Sequence, residues 1–119
     1  MVIFSPNTYH ITSVTEWQEA KTTGEYKPKG FAQEQFIHLS YSHQLLTVAN
    51  RFYAAQNGLV ILVIDSSRIK DGLIEENLEG GIELYPHFYG VLPIDAVIDA
   101  IAFPCNADGS FDLPVELNI

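Results

Sequence analysis

The chain has 119 residues, 47% of them hydrophobic and 18% charged, with 15 acidic against 6 basic side chains and a formal net charge of −9. These values fit one ordinary domain with a sizeable core and exclude intrinsic disorder. Lys21, Lys27, Lys29, Arg51, Arg68 and Lys70 are scattered rather than gathered in a stripe, so long nucleic acids and anionic membranes are poor partners, whereas a small anion held by backbone amides in a pocket remains compatible.

In chain order, Met1-Val2-Ile3-Phe4 lacks a basic flank and stops at Ser5-Pro6-Asn7, too short for a secretory signal. A strand is predicted over residues 8–11. Ser13 and Glu16 then have capping-box spacing, and Val14, Trp17 and Ala20 form one apolar helical face that Gly24 terminates. Residues 26–30, with Pro28 and Gly30, read as a loop before a second strand over 36–39. A second helix is predicted over 42–56, with Leu45, Val48, Ala49, Phe52 and Tyr53 on one side and His43, Thr47, Asn50 and Arg51 on the other, closed by Asn57-Gly58. Residues 59–65 are apolar without alternation, the pattern of a central strand covered on both faces. Turn signals at Ser66-Ser67, Asp71-Gly72, Gly80-Gly81, Gly90, Pro93 and Asp108-Gly109 separate short strands expected near 73–76, 82–84 and 97–103. Two early helices followed by short strands make this one α+β domain with mixed or antiparallel sheets.

The lone Cys105 cannot form an internal bridge, which favours a reducing compartment. The longest apolar run, 59–64, is far shorter than the ~20 residues of a membrane helix. A cytoplasmic protein is expected.

One pattern occurs twice: His10-Ile11-Thr12 and His38-Leu39-Ser40 each place a histidine, an aliphatic and a hydroxyl residue before a helix. Each imidazole is expected near a strand end, facing the unpaired amides of the following helix. A third histidine sits in Pro86-His87-Phe88-Tyr89-Gly90, read as an aromatic loop. The ordinary alternative is that each ring is a core residue bonded to a carbonyl; His43, on a polar helix face, reads as solvated. Asp65 and Glu75 are carboxylates at strand positions that can reach a cleft, with surface exposure as the competing reading. No His-x-x-x-His or His-Glu-x-x-His pair argues for a metal, and none is expected. No Gly-x-Ser-x-Gly elbow is present, and Cys105 after Pro104 reads as a structural thiol.

Tyr9-His10-Ile11-Thr12, Trp17, Gly24-Glu25-Tyr26, Glu34-Gln35-Phe36-Ile37-His38-Leu39-Ser40, Gln44, Ala49-Asn50-Arg51-Phe52-Tyr53, the 59–65 strand and Pro86-His87-Phe88-Tyr89-Gly90 together resemble the DUF952 family over about residues 9–111. Gln35 departs from the glycine usual there, and Leu39 from a frequent cysteine. The resemblance implies a fold like that of ADP-ribosyltransferases and RNA 2′-phosphotransferases, with NAD, ADP-ribose or another phosphorylated nucleotide as ligand and ADP-ribosyl or 2′-phosphate transfer as chemistry. It implies His10 as the ribose-orienting residue, His38 as a further catalytic residue and Glu75 as the acid, with Glu76 as its alternative. Thr12, Ser40, Arg51, His87 and Tyr89 would then contact the ligand. No segment spells the transferase signature around that acid. Two other readings stay open: a non-catalytic binding or interaction module braced by its histidines, and a metal-dependent hydrolase.

Overall fold

The computed structural model describes residues 5–77 and 81–117. Residues 1–4 and Gly80 of the expected Gly80-Gly81 turn lie outside the described residues. In chain order the elements are β1 (Asn7–Ser13), α1 (Val14–Thr23), β2 (Glu25–Tyr26), α2 (Phe31–Glu34), β3 (Ile37–His38), α3 (Leu45–Phe52), β4 (Leu59–Asp65), β5 (Leu73–Glu76), β6 (Tyr85–Phe88), β7 (Leu92–Pro93) and β8 (Val97–Ala102). The strands form three antiparallel sheets, ordered β1-β4-β8, β2-β7 and β3-β6-β5. This is an α+β arrangement of small sheets. No helix among the described residues is long and apolar enough to cross a membrane.

The unbroken apolar run becomes β4, flanked on both sides, and its alternate residues enter different cores. Val60, Leu62 and Ile64 pack with Trp17, Tyr26, Ile37 and Leu92. Leu59, Ile61 and Val63 pack with Tyr9, Leu45, Ala49, Phe103 and Phe111. Strand β1 pairs with β4 along its whole length, from Asn7 opposite Asp65 to Ser13 opposite Leu59. Directly paired residues share a sheet face. Tyr9 and Ile11 therefore join the second core, while His10, opposite Leu62, points toward the first.

Helix α1 begins and ends where its sequence signals stand. Ser13 Oγ accepts the Glu16 N–H at 3.0 Å, and Gly24, at φ 90°, gives its own N–H to the Ala20 carbonyl. Trp17 and Ala20 are buried, but Val14 in the first turn is exposed. Ser13→Ala removes the cap acceptor and is expected to cost about 1 kcal/mol; a melting temperature unchanged by the substitution would show that β1 alone holds the helix start.

Four expectations are corrected. The second helix does not reach residue 56: a single 3₁₀ turn at Ser42–Gln44 precedes α3, which ends at Phe52. Ala55 adopts φ 65° and donates its N–H to the Gly109 carbonyl at 2.8 Å, so a tertiary bond replaces the next helical one. Residues 82–84 form no strand, and the expected aromatic loop instead begins as β6 at Tyr85. A proline inside a run argues against a central strand; here Pro86 stands in one, and its carbonyl accepts the Leu39 N–H at 3.0 Å, which joins the two segments. Finally, the loop before the second strand contains the short helix α2, entered through Gly30 at φ 84°.

Candidate functional site

The sheets β1-β4-β8 and β3-β6-β5 meet where the chain following β3 bridges to β1. Tyr9 N–H donates to the Ser40 carbonyl at 2.9 Å, and Ser40 N–H returns to the Tyr9 carbonyl at 2.8 Å. This bridge carries the two histidine-hydroxyl segments side by side. A cleft of about 490 Å³ opens beside them. His10, Thr12, His38 and Ser40 line it together with Glu16, Tyr26, Lys29 and Glu34, and Phe36, Phe52, Tyr53 and Tyr85 supply aromatic wall. The volume is in the range of small-molecule pockets.

His10 is buried, in the middle of β1 rather than at its end, and its ring does not face helix amides. Its Nδ1 lies 2.7 Å from the His38 carbonyl oxygen and its Nε2 lies 2.8 Å from Tyr26 Oη. A carbonyl has no hydrogen to give, so Nδ1 carries the proton. Burial lowers the His10 pKa from 6.5 to about 4, with the His38 carbonyl opposing the shift. At neutral pH the ring is uncharged, and Nε2 is an acceptor. Tyr26 Oη in turn lies 2.9 Å from Thr12 Oγ1, and burial raises its pKa well above the ordinary phenol value. Thr12 Oγ1 is 3.5 Å from Glu16 Oε2.

His38 is the accessible imidazole. Its side chain and that of Glu34 are each 48% exposed, and Nε2 meets Glu34 Oε2 at 2.9 Å. The Phe36 ring packs edge-on against His38 and stacks on His87, with centroid distances of 4.8 and 4.4 Å.

His87 stands behind this layer rather than in the cleft. Its ring centroid is 5.1 Å from that of His38, its side chain is 3% exposed, and its Nδ1 meets Glu76 Oε1 at 3.0 Å. Strand parity accounts for the cluster: His38 pairs with His87, and Glu76 lies diagonally opposite His87 on the same face. Glu76 also accepts the Tyr89 hydroxyl. That bond raises the Tyr89 pKa, and together with His87 it lowers that of Glu76.

The remaining expected residues do not line the cleft. Glu75 is one residue out of phase with Glu76 and accepts the Tyr41 hydroxyl at 2.8 Å, so it is not the acid of this cleft. Arg51 is exposed with its guanidinium over the Phe52 ring at 5.1 Å, and Tyr89 lies 5.1 Å from Phe36 on the far side of the aromatic layer. Asp65 caps the turn after β4, accepting the Ser67 N–H at 3.1 Å. Cys105 is half-buried beside Asn57, 3.3 Å away. His43 is exposed near Glu83. Among the described residues no group of three or more His, Cys, Asp and Glu side chains is arranged to hold a metal.

The residues missed from sequence are Glu16, Tyr26, Glu34 and Phe36. Glu16 was legible only as a helix-capping residue, and Tyr26 only as the start of a loop and a member of the family motif. Glu34 and Phe36 stood in the family motif without a role, because the reach of Glu34 to His38 depends on the turn that α2 introduces.

Residues 11–100 match the model of a family described as a protein of unknown function, DUF952. Three solved structures of protein CC0527 from Caulobacter crescentus are similar to this chain. The crystal structure is 29% identical with a TM-score of 0.85, covering 95% of this chain and 99% of that one. A crystal structure of a double mutant of CC0527 has the same identity and coverage with a TM-score of 0.84. The solution structure is 28% identical with a TM-score of 0.82, covering 94% and 97%. A search of curated proteins finds no match.

Proposed function

The chain belongs to the DUF952 family, and we propose that its cleft binds a ribonucleotide of the NAD or ADP-ribose class and supports group transfer at the ribose. The observation that carries this reading is one cleft in which an exposed imidazole–carboxylate pair, His38 and Glu34, faces a hydroxyl-rich wall and aromatic side chains. Aromatic faces accept a base by stacking, while carboxylate, imidazole and hydroxyl groups suit sugar hydroxyls. Among the described residues Lys29 is the only lysine or arginine that lines the cleft, against two glutamates, Glu16 and Glu34; in this reading the base and ribose therefore occupy its interior and the phosphates its mouth.

In ADP-ribosyl transfer the C1′–N bond breaks, nicotinamide leaves with the electron pair, and an acceptor oxygen or nitrogen bonds to C1′. In this reading His38 takes the acceptor's proton, and Glu34, 2.9 Å from its Nε2, stabilises the resulting imidazolium. A carboxylate near the sugar also stabilises its developing positive charge. Glu34 and Glu16 replace Glu75 in that role. In 2′-phosphate transfer a phosphate oxygen would bond to C1′ as nicotinamide leaves with the electron pair, with the same ribose contacts. His10 has both nitrogens bonded within the protein, so its part is to position Tyr26 and the His38 backbone.

That saturation of His10 is also the observation that favours the binding-only reading, in which the same ligand is held and not transformed. Calorimetric titration with NAD and ADP-ribose tests the shared premise. His38→Ala is expected to weaken binding about tenfold, through the loss of one charge-assisted contact, with the melting temperature nearly unchanged because the side chain is half exposed. Absence of binding at millimolar ligand would remove the proposal.

A further inference from the structure

We propose that Thr12 and Glu16 form an acceptor-only corner of the cleft that reads the vicinal hydroxyls of a ribose; this rests on the ribonucleotide reading above and names the residues that set its specificity. The argument is a proton count along the buried chain His38 carbonyl, His10, Tyr26, Thr12. His10 spends its single proton on the His38 carbonyl, 2.7 Å from Nδ1, leaving Nε2 an acceptor. Tyr26 Oη, at 2.8 Å, is the group bonded to that nitrogen, so its hydrogen is committed to His10. The Tyr26 oxygen then accepts, and Thr12 Oγ1 at 2.9 Å is the hydroxyl that supplies it. Thr12 has no second hydrogen.

The separation of Thr12 and Glu16 supports this direction. An O–H donated to a carboxylate sits at about 2.5–2.7 Å, whereas Thr12 Oγ1 is 3.5 Å from Glu16 Oε2. Two oxygens that both only accept stand apart in this way. Thr12 is 96% buried by its 4% exposure and Glu16 is half-buried, and both line the cleft. Tyr26 Oη also reaches Glu16, but its single hydrogen is taken by His10, so what the corner lacks is donors. Adjacent hydroxyls on a furanose ring supply two, from one rigid group. The buried histidine thus acts at a distance: by fixing which way each hydroxyl points, it makes this wall select for donors.

The test is calorimetric binding of NAD and of its analogues lacking the 2′- or the 3′-hydroxyl of the nicotinamide ribose. Wild-type protein is expected to bind NAD at least about tenfold more tightly than either analogue. Glu16→Gln, which replaces one acceptor oxygen by a donor, is expected to bring that ratio close to one with the melting temperature retained. Thr12→Val is expected to reduce the ratio as well, and Thr12→Ser to restore it. A ratio near one in the wild type overturns the corner while leaving the ribonucleotide reading standing. A ratio unchanged in both Glu16→Gln and Thr12→Val overturns the assignment to these residues. Failure of all three ligands to bind overturns the ribonucleotide reading itself, and the corner with it.

Discussion

Acidification from pH 7 to pH 4 is expected to lower the unfolding free energy by about 3 kcal/mol through His10 alone. The imidazole titrates near 6.5 in the unfolded chain and near 4 in the folded one, because burial penalises its charged form. Between those values the unfolded state binds a proton that the folded state refuses. The His10 contribution is therefore fully present above pH 6.5 and is lost as pH falls toward 4. Asp65, Glu76 and Asp108 are also held below their ordinary values, Asp65 and Asp108 chiefly by serine donors and Glu76 by Tyr89 and His87. As carboxylates they lose their contributions at lower pH, below the main histidine window. Urea melts between pH 7 and 4 on the wild type and on His10→Gln separate the two. The variant lacks the titrating ring, so its stability should fall less steeply over that window; equal slopes would assign the acid sensitivity to other groups. His10→Ala at pH 7 should itself cost about 3 kcal/mol, since it leaves the His38 carbonyl and the Tyr26 hydroxyl without their shared partner.

The second large effect concerns β4. Ile61→Ala and Leu62→Ala are each expected to destabilise by about 2–5 kcal/mol, and by comparable amounts. In a strand with one wet face, neighbouring residues differ sharply in cost, because one of them points to solvent. Here Ile61 and Leu62 are both 0% exposed, and they fill separate cores on opposite faces of the central strand. Thermal denaturation with chemical-denaturant extrapolation measures both. A loss below about 1 kcal/mol for either residue would mean that one face of the sheet is less tightly packed than the structure shows.

How much of the site was legible depends on whether a residue's role is local or set by pairing. His10-Ile11-Thr12 and His38-Leu39-Ser40 stood out as a repeated pattern, and the Tyr9–Ser40 bridge does bring the two segments together beside one cleft. The carboxylates did not stand out. Glu75 and Glu76 differ by one position in a strand, and a single-residue shift moves a side chain to the other face. Only the register of β5 against β6 sends Glu76 to His87 and Glu75 to Tyr41. Arg51, placed on a polar helix face by periodicity, remains on that face, which does not line the cleft.

The amino-acid sequence by itself determined the features whose causes lie within a few residues: the Ser13 cap and Gly24 terminus of α1, the two-sided burial of residues 59–65, the α+β class and the family. These follow from hydrogen bonds between near neighbours and from the periodicity of apolar side chains. Tertiary structure decided the rest. The early end of α3 is set by Ala55 bonding to Gly109, β6 runs through Pro86 with Leu39 bonded to its carbonyl, and Glu34 meets His38 through the turn of α2. The protonation pattern of the cleft belongs to the same group. His10 is neutral because of what surrounds it, and the chain from His38 through Tyr26 to Thr12 joins three separate strands, β3, β1 and β2, whose proximity no local pattern encodes.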